Sequence, residues 1–159
     1  MHIWTSEKWK KYYDLKSHRI GLRIRFDKEV DPEVKRACKE FVRWLREEYF
    51  FPMRIPIYIK SQKKIKAMDG EEVSATFFRP DDKNVEPYIR VAAGGYRDLL
   101  MKRHKDDVLT SILSSIAHEL THYFQWINNL PLTRIGEERQ ATSYSGFIMG
   151  EYSETKEHP

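Results

Sequence analysis

Hydrophobic and polar positions follow two rhythms along the chain. Over residues 19–26 the period is two, with Ile20, Leu22, Ile24 and Phe26 on one side and Arg19, Arg23 and Arg25 on the other. That pattern predicts a half-buried strand. Asp31 and Pro32 then supply an N-cap and a first helical residue. A helix should follow to about residue 49, because Val34, Cys38, Phe41, Val42, Leu45 and Tyr49 recur at helical spacing. Period two returns over 54–60 around Ile55, Ile57 and Ile59, with Pro56 favouring an edge or a strand end. Segments 73–79 and 87–93 complete four predicted strands, separated by turns at Asp69-Gly70 and 81–84.

After Gly94-Gly95 the rhythm is helical, with a short helix near 96–103, a long one near 107–128 and a last one near 136–150. A further amphipathic helix is expected over 6–16, capped by Ser6, with Trp9, Tyr12 and Tyr13 on one face. Strands first and helices last, without βαβ alternation, predict an α+β fold. Its small mixed or antiparallel sheet of about four strands would pack on helices.

Composition narrows the class. The chain has 159 residues, 40% of them hydrophobic and 33% charged, which fits one globular domain over 1–150 and a polar, frayed tail over 151–159. No apolar run is long enough to cross a membrane, and the first residues lack the pattern of a secretory signal. The single cysteine, Cys38, excludes an internal disulfide and cysteine-based zinc fingers. A cytoplasmic protein is expected. The net charge of +4 is unevenly spread: residues 1–66 carry 18 Lys/Arg against 9 Asp/Glu, and the remainder 10 against 15. Such a basic half is a candidate surface for a polyanion.

The long predicted helix contains His118-Glu119-Leu120-Thr121-His122. Histidines four residues apart lie one above the other on one helix face, close enough to share a tetrahedral zinc ion. Glu119 sits one position round, within reach of water beside such a metal. Ser111, Ser114 and Ser115 keep the histidine side polar, while Leu109, Ile112, Ile116, Leu120, Tyr123 and Ile127 form an apolar stripe. A catalytic zinc usually takes a third protein ligand. The longer pattern with a third histidine is absent, because Gln125 and Asn128 stand where its glycine and histidine would be.

Glu137 and Glu138, opening the next helix, are the candidates for that ligand. They point about 100° apart, so one of them ligates. Glu138 is preferred because small Ala141 allows close helix packing and Thr142 could accept a hydrogen bond from a histidine's distal nitrogen.

His118-Glu119-Leu120-Thr121-His122 followed by Glu138-x-x-Ala141 resembles the gluzincins, the thermolysin-like clan of zinc peptidases. In size and in its preceding strands the chain is most similar to minimal gluzincins and to ImmA/IrrE-type peptidases of mobile elements. The resemblance covers residues 86–150. It implies one zinc ion per chain, His118, His122 and Glu138 as ligands, Glu119 as general base, and a peptide or protein substrate. It also implies that segment 88–93 is the edge strand that pairs with an extended substrate. Small Ala92 and Ala93 would let the substrate backbone approach, and Tyr144 is the nearest candidate to stabilise an oxyanion. Three other readings compete. The basic half could bind nucleic acid beside a structural zinc, the peptidase could cleave a DNA-bound partner, or residues 1–18 could cover the cleft and hold the enzyme latent.

Overall fold

The computed structural model describes residues 2–159. Three single-turn 3-10 helices (Ile3–Thr5, Lys8–Lys11 and Leu15–Ser17) lead into β1 (Leu22–Phe26), α1 (Pro32–Glu48) and β2 (Ile55–Lys60). A short hairpin of β3 (Ile65–Lys66) and β4 (Glu72–Val73) precedes β5 (Ala75–Phe78) and β6 (Tyr88–Ala92). The chain ends in α2 (Tyr96–Leu99), α3 (Lys105–Ile127) and α4 (Arg134–Ser153). This is an α+β fold.

The four expected strands form one mixed sheet in the order β1-β2-β6-β5. β1, β2 and β6 run parallel, and β5 runs against β6 at the edge. α1 supplies the crossover that parallel β1 and β2 require. It starts as its sequence dictates, with the Asp31 carboxylate accepting from the Glu33 N–H at 2.9 Å and Pro32 in the first turn. α1 packs against β1 and α3, and α3 packs against β5 and β6, so both helices cover the same face of the sheet. Leu22, Ile55, Ile57, Ile59 and Ile89 point into that layer and are completely buried. Each contributes about 1.5–3 kcal/mol by leaving water.

α3 lies at the centre. Every residue from Glu119 to Asn128 is buried. It begins after His104, whose Nδ1 accepts from the Asp106 N–H at 3.1 Å, and Asp106 and Asp107 lie in the first turn. The helix closes with Asn129 in the left-handed region (φ 51°). There the Asn129 N–H donates to the Trp126 carbonyl and the Leu130 N–H to the Gln125 carbonyl. That C-terminal motif, followed by Pro131, stops α3 and lets α4 pack along it.

Three expectations change, and one short hairpin is added. Residues 6–16 form separate 3-10 turns rather than one helix, and Ser6 closes the first turn. Tertiary bonds override local propensity here. The Trp4 indole N–H donates to Thr121 Oγ1 at 3.1 Å, and the Trp9 N–H donates to Asn128 Oδ1 at 3.0 Å. The lysine-dense segment after β2 contributes β3, and its hairpin turns at Gly70 with φ 87°. The segment 88–93 is not an edge, because β6 lies between β2 and β5. Last, the tail is docked rather than frayed: Tyr152 is buried, Lys156 pairs with Glu40, and the Pro159 carbonyl accepts from Arg36 at 2.9 Å.

Candidate metal centre

α3 and α4 meet where the two histidines face outward. The His118 and His122 rings lie 5.0 Å apart, as helical spacing of four requires. Glu138, on the second turn of α4, bridges them, with Oε2 3.1 Å from His118 Nε2 and Oε1 2.9 Å from His122 Nε2. One ligand atom from each of the three residues falls within 4.8 Å of the others. Ligands at about 2.0–2.1 Å around a tetrahedral zinc would sit about 3.3 Å from one another.

The adjacent Glu137 is otherwise engaged. Arg79, just beyond β5, donates Nη1 and Nη2 to its two oxygens at 3.1 and 3.0 Å. That fork uses both oxygens of Glu137 and leaves Glu138 to the histidines.

A buried hydrogen-bond relay orients His122. The Gln125 amide nitrogen donates to the Glu137 carbonyl at 3.0 Å and to Gln140 Oε1 at 2.9 Å. Its Oε1 therefore faces His122 Nδ1 at 2.8 Å, and Nδ1 must carry the proton. His122 Nε2 then faces the Glu138 carboxylate at 2.9 Å. A proton on Nε2, or a metal ion held by both groups, would satisfy that approach. His118 is held below its ordinary pKa, first by burial and then by the charge of His122. That favours its neutral, ligating form.

Glu119 is buried at 8% exposure and has no hydrogen-bonding partner among the described residues. Burial first, and then the charge of Glu138, push its carboxyl up to about 8. It opens only onto a cleft of about 1010 Å³, which His118, His122, Glu137 and Glu138 also line. The opposite wall is the free edge of β5. Because the Ala92 N–H bonds to the Ser74 carbonyl across the β5–β6 pair, alternate pairing turns the N–H and C=O of Ala75 and Phe77 away from β6. Both residues line the cleft.

Several proposed site residues lie elsewhere. Ala92 and Ala93 bond inward, their N–H groups donating to the Ser74 and Lys60 carbonyls, and Ala93 is buried. The close approach at this bend is made by the chain itself, since a Cβ on Gly94 would lie 2.1 Å from the Ser61 carbonyl. Thr142 is exposed and outside the cleft, and Gln125 takes the histidine contact expected of it. Tyr144 faces a separate pocket of about 380 Å³ with His2, and its hydroxyl accepts from the Ile3 N–H at 3.0 Å. None of residues 2–18 lines the cleft, so the N-terminal segment does not cover it.

Gln125, Arg79 and the β5 edge are the features that sequence reasoning missed. Only Gln125 carried a signal, three residues after His122 on the same helix. Comparison with family models, curated proteins and solved structures gave no match, so the site is read from its own geometry.

Proposed function

We propose that the chain is a zinc-dependent peptidase of minimal gluzincin-like form. The observation that carries this reading is the convergence of His118 Nε2, His122 Nε2 and the Glu138 carboxylate beside buried Glu119, at the base of a cleft walled by a free strand edge. The donor set, two neutral imidazoles and one carboxylate, suits zinc. When bound, Zn2+ supplies Lewis acidity that polarises a carbonyl and makes water easier to deprotonate.

The protein's own groups do the rest. An extended peptide adds to β5 through the free N–H and C=O of Ala75 and Phe77, which fixes its backbone across the site. Glu119 takes a proton from water on one carboxylate oxygen and passes it to the leaving amine. Its buried position suits that role, since a carboxyl pushed upward is a stronger base than one in water. Gln125 keeps His122 in the Nδ1–H form, and Arg79 keeps Glu137 off the metal position.

Zinc content and peptide hydrolysis test the reading together. The wild type should hold one zinc per chain, and Glu119→Gln should keep it while losing about 10²–10⁴-fold in hydrolysis of an extended peptide library. A wild type that takes up no zinc, or a Glu119→Gln variant with full activity, would sink the proposal.

A further inference from the structure

The face of the sheet opposite α1 and α3 carries no helix among the described residues. Its outward positions differ in kind from those of the buried face. Register places Arg25, Tyr58 and Arg90 in one row across β1, β2 and β6. In the next row Tyr88 and Phe78 are cross-strand partners, and their rings stack at 4.9 Å with 23° between planes. The Tyr58 ring stands edge-on to Tyr88 at 6.1 Å, so three aromatic rings run continuously across β2, β6 and β5. Tyr58 is 37% exposed, and Tyr88 and Phe78 are half-buried.

Charge on this face has one sign. No Asp or Glu occupies an outward position of the four strands. Lys60 is offset by Asp27 at 3.2 Å. Arg23, Arg25 and Arg90 have no carboxylate partner among the described residues; Arg23 and Arg90 donate only to the carbonyls of Leu22 and Lys66. The Arg90 Nε is buried and its Nη2 is taken by the Lys66 carbonyl of β3, so Arg23 and Arg25 are the exposed guanidinium groups that offer phosphate contacts beside the aromatic rings.

We infer that this open face binds single-stranded nucleic acid. Unpaired bases would stack on Tyr58, Tyr88 and Phe78, while exposed Arg23 and Arg25 hold the phosphates. A duplex hides its base faces, and an acidic peptide has few ring faces to stack, so neither uses the aromatic half of the surface. None of the residues of this surface lines the metal cleft, so the two sites are separate. The inference therefore stands whether or not the peptidase reading holds.

The test is fluorescence anisotropy of the full chain with a labelled, mixed-sequence oligonucleotide about 12 nucleotides long, as DNA and as RNA, against a matching duplex and polyglutamate. Single strands should bind more tightly than either control. Tyr58→Ala and Tyr88→Ala, which leave the charge unchanged, should each weaken binding by about 5–100-fold. Tyr58→Phe should restore it, and a normal circular dichroism spectrum shows that each variant is folded. Arg25→Ala should flatten the dependence of log affinity on log salt by about 0.7. Absent binding, equal binding of duplex or polyglutamate, or aromatic variants that bind like wild type would each overturn the inference.

Discussion

The two faces of one sheet have been given opposite tasks. Facing α1 and α3, the strands present Leu22, Ile55, Ile57, Ile59 and Ile89, all completely buried. Facing away, the same strands present Arg23, Arg25, Tyr58, Tyr88 and Arg90, none of them completely buried. The polar chemistry of the first side is confined to the margin, where α3 and α4 meet the free edge of β5. On the second side it is spread over the face itself. Period-two geometry makes this separation possible, because neighbouring residues on one strand serve different surfaces. Substitutions at one surface should therefore leave the other readout unchanged.

Glu138→Ala should give the largest effect on the cleft side. Loss of a ligand should weaken zinc binding by more than the roughly 10–100-fold that an outer hydrogen-bonding partner is worth, with anisotropy of a single strand unaltered. Calorimetric zinc titration reads the first and the oligonucleotide assay the second; if both fall, the two surfaces are coupled and the comparison fails. Gln125→Leu comes next. It removes the acceptor that holds His122 Nδ1–H, and zinc affinity should fall by about 10–100-fold while all three ligands remain. Unchanged affinity would show that packing alone orients the ring.

Glu137→Gln should do much less. It breaks the fork with half-exposed Arg79, so the expected loss in a urea melt is at most about 1 kcal/mol, and zinc should stay bound. Loss of the metal in this variant would reverse the roles given to the two glutamates. The smallest effect belongs to neither surface. His158 is raised above its ordinary pKa by its hydrogen bond to Asp106 and by that carboxylate's charge, so its pairing is complete below about pH 6.5 and fades as pH rises through the raised value. Wild type should melt slightly above His158→Ala at pH 5.5, and the difference should vanish by pH 9. Neither zinc nor oligonucleotide binding should move.

Much of the layout was legible from spacing. The four strand segments are where period two and strand-forming composition put them, and α1 starts at the predicted cap. His118, Glu119 and His122 fall together because one helix fixes their relative directions. Glu138 needed a second element, and only the Arg79 fork separates it from Glu137. Gln125 was read as the failure of a longer motif, although a glutamine three residues after a histidine can reach its ring nitrogen. The edge strand was misplaced for a different reason. Residue type and bounding turns mark 73–79 and 87–93 alike, and nothing local says which has a neighbour on both sides.

The sequence by itself determined what repeats within a turn or a strand: the stacked histidines, the capped helices, and the alternation that sorts isoleucines from arginines. These follow from the covalent geometry of a few consecutive residues. The tertiary structure decided which strand ends the sheet, which glutamate meets the histidines, what Trp4 and Trp9 anchor, and that three separate strands bring Tyr58, Tyr88 and Phe78 into one surface. Those outcomes depend on pairings between residues tens of positions apart, where packing and hydrogen bonding among whole elements outweigh any local preference.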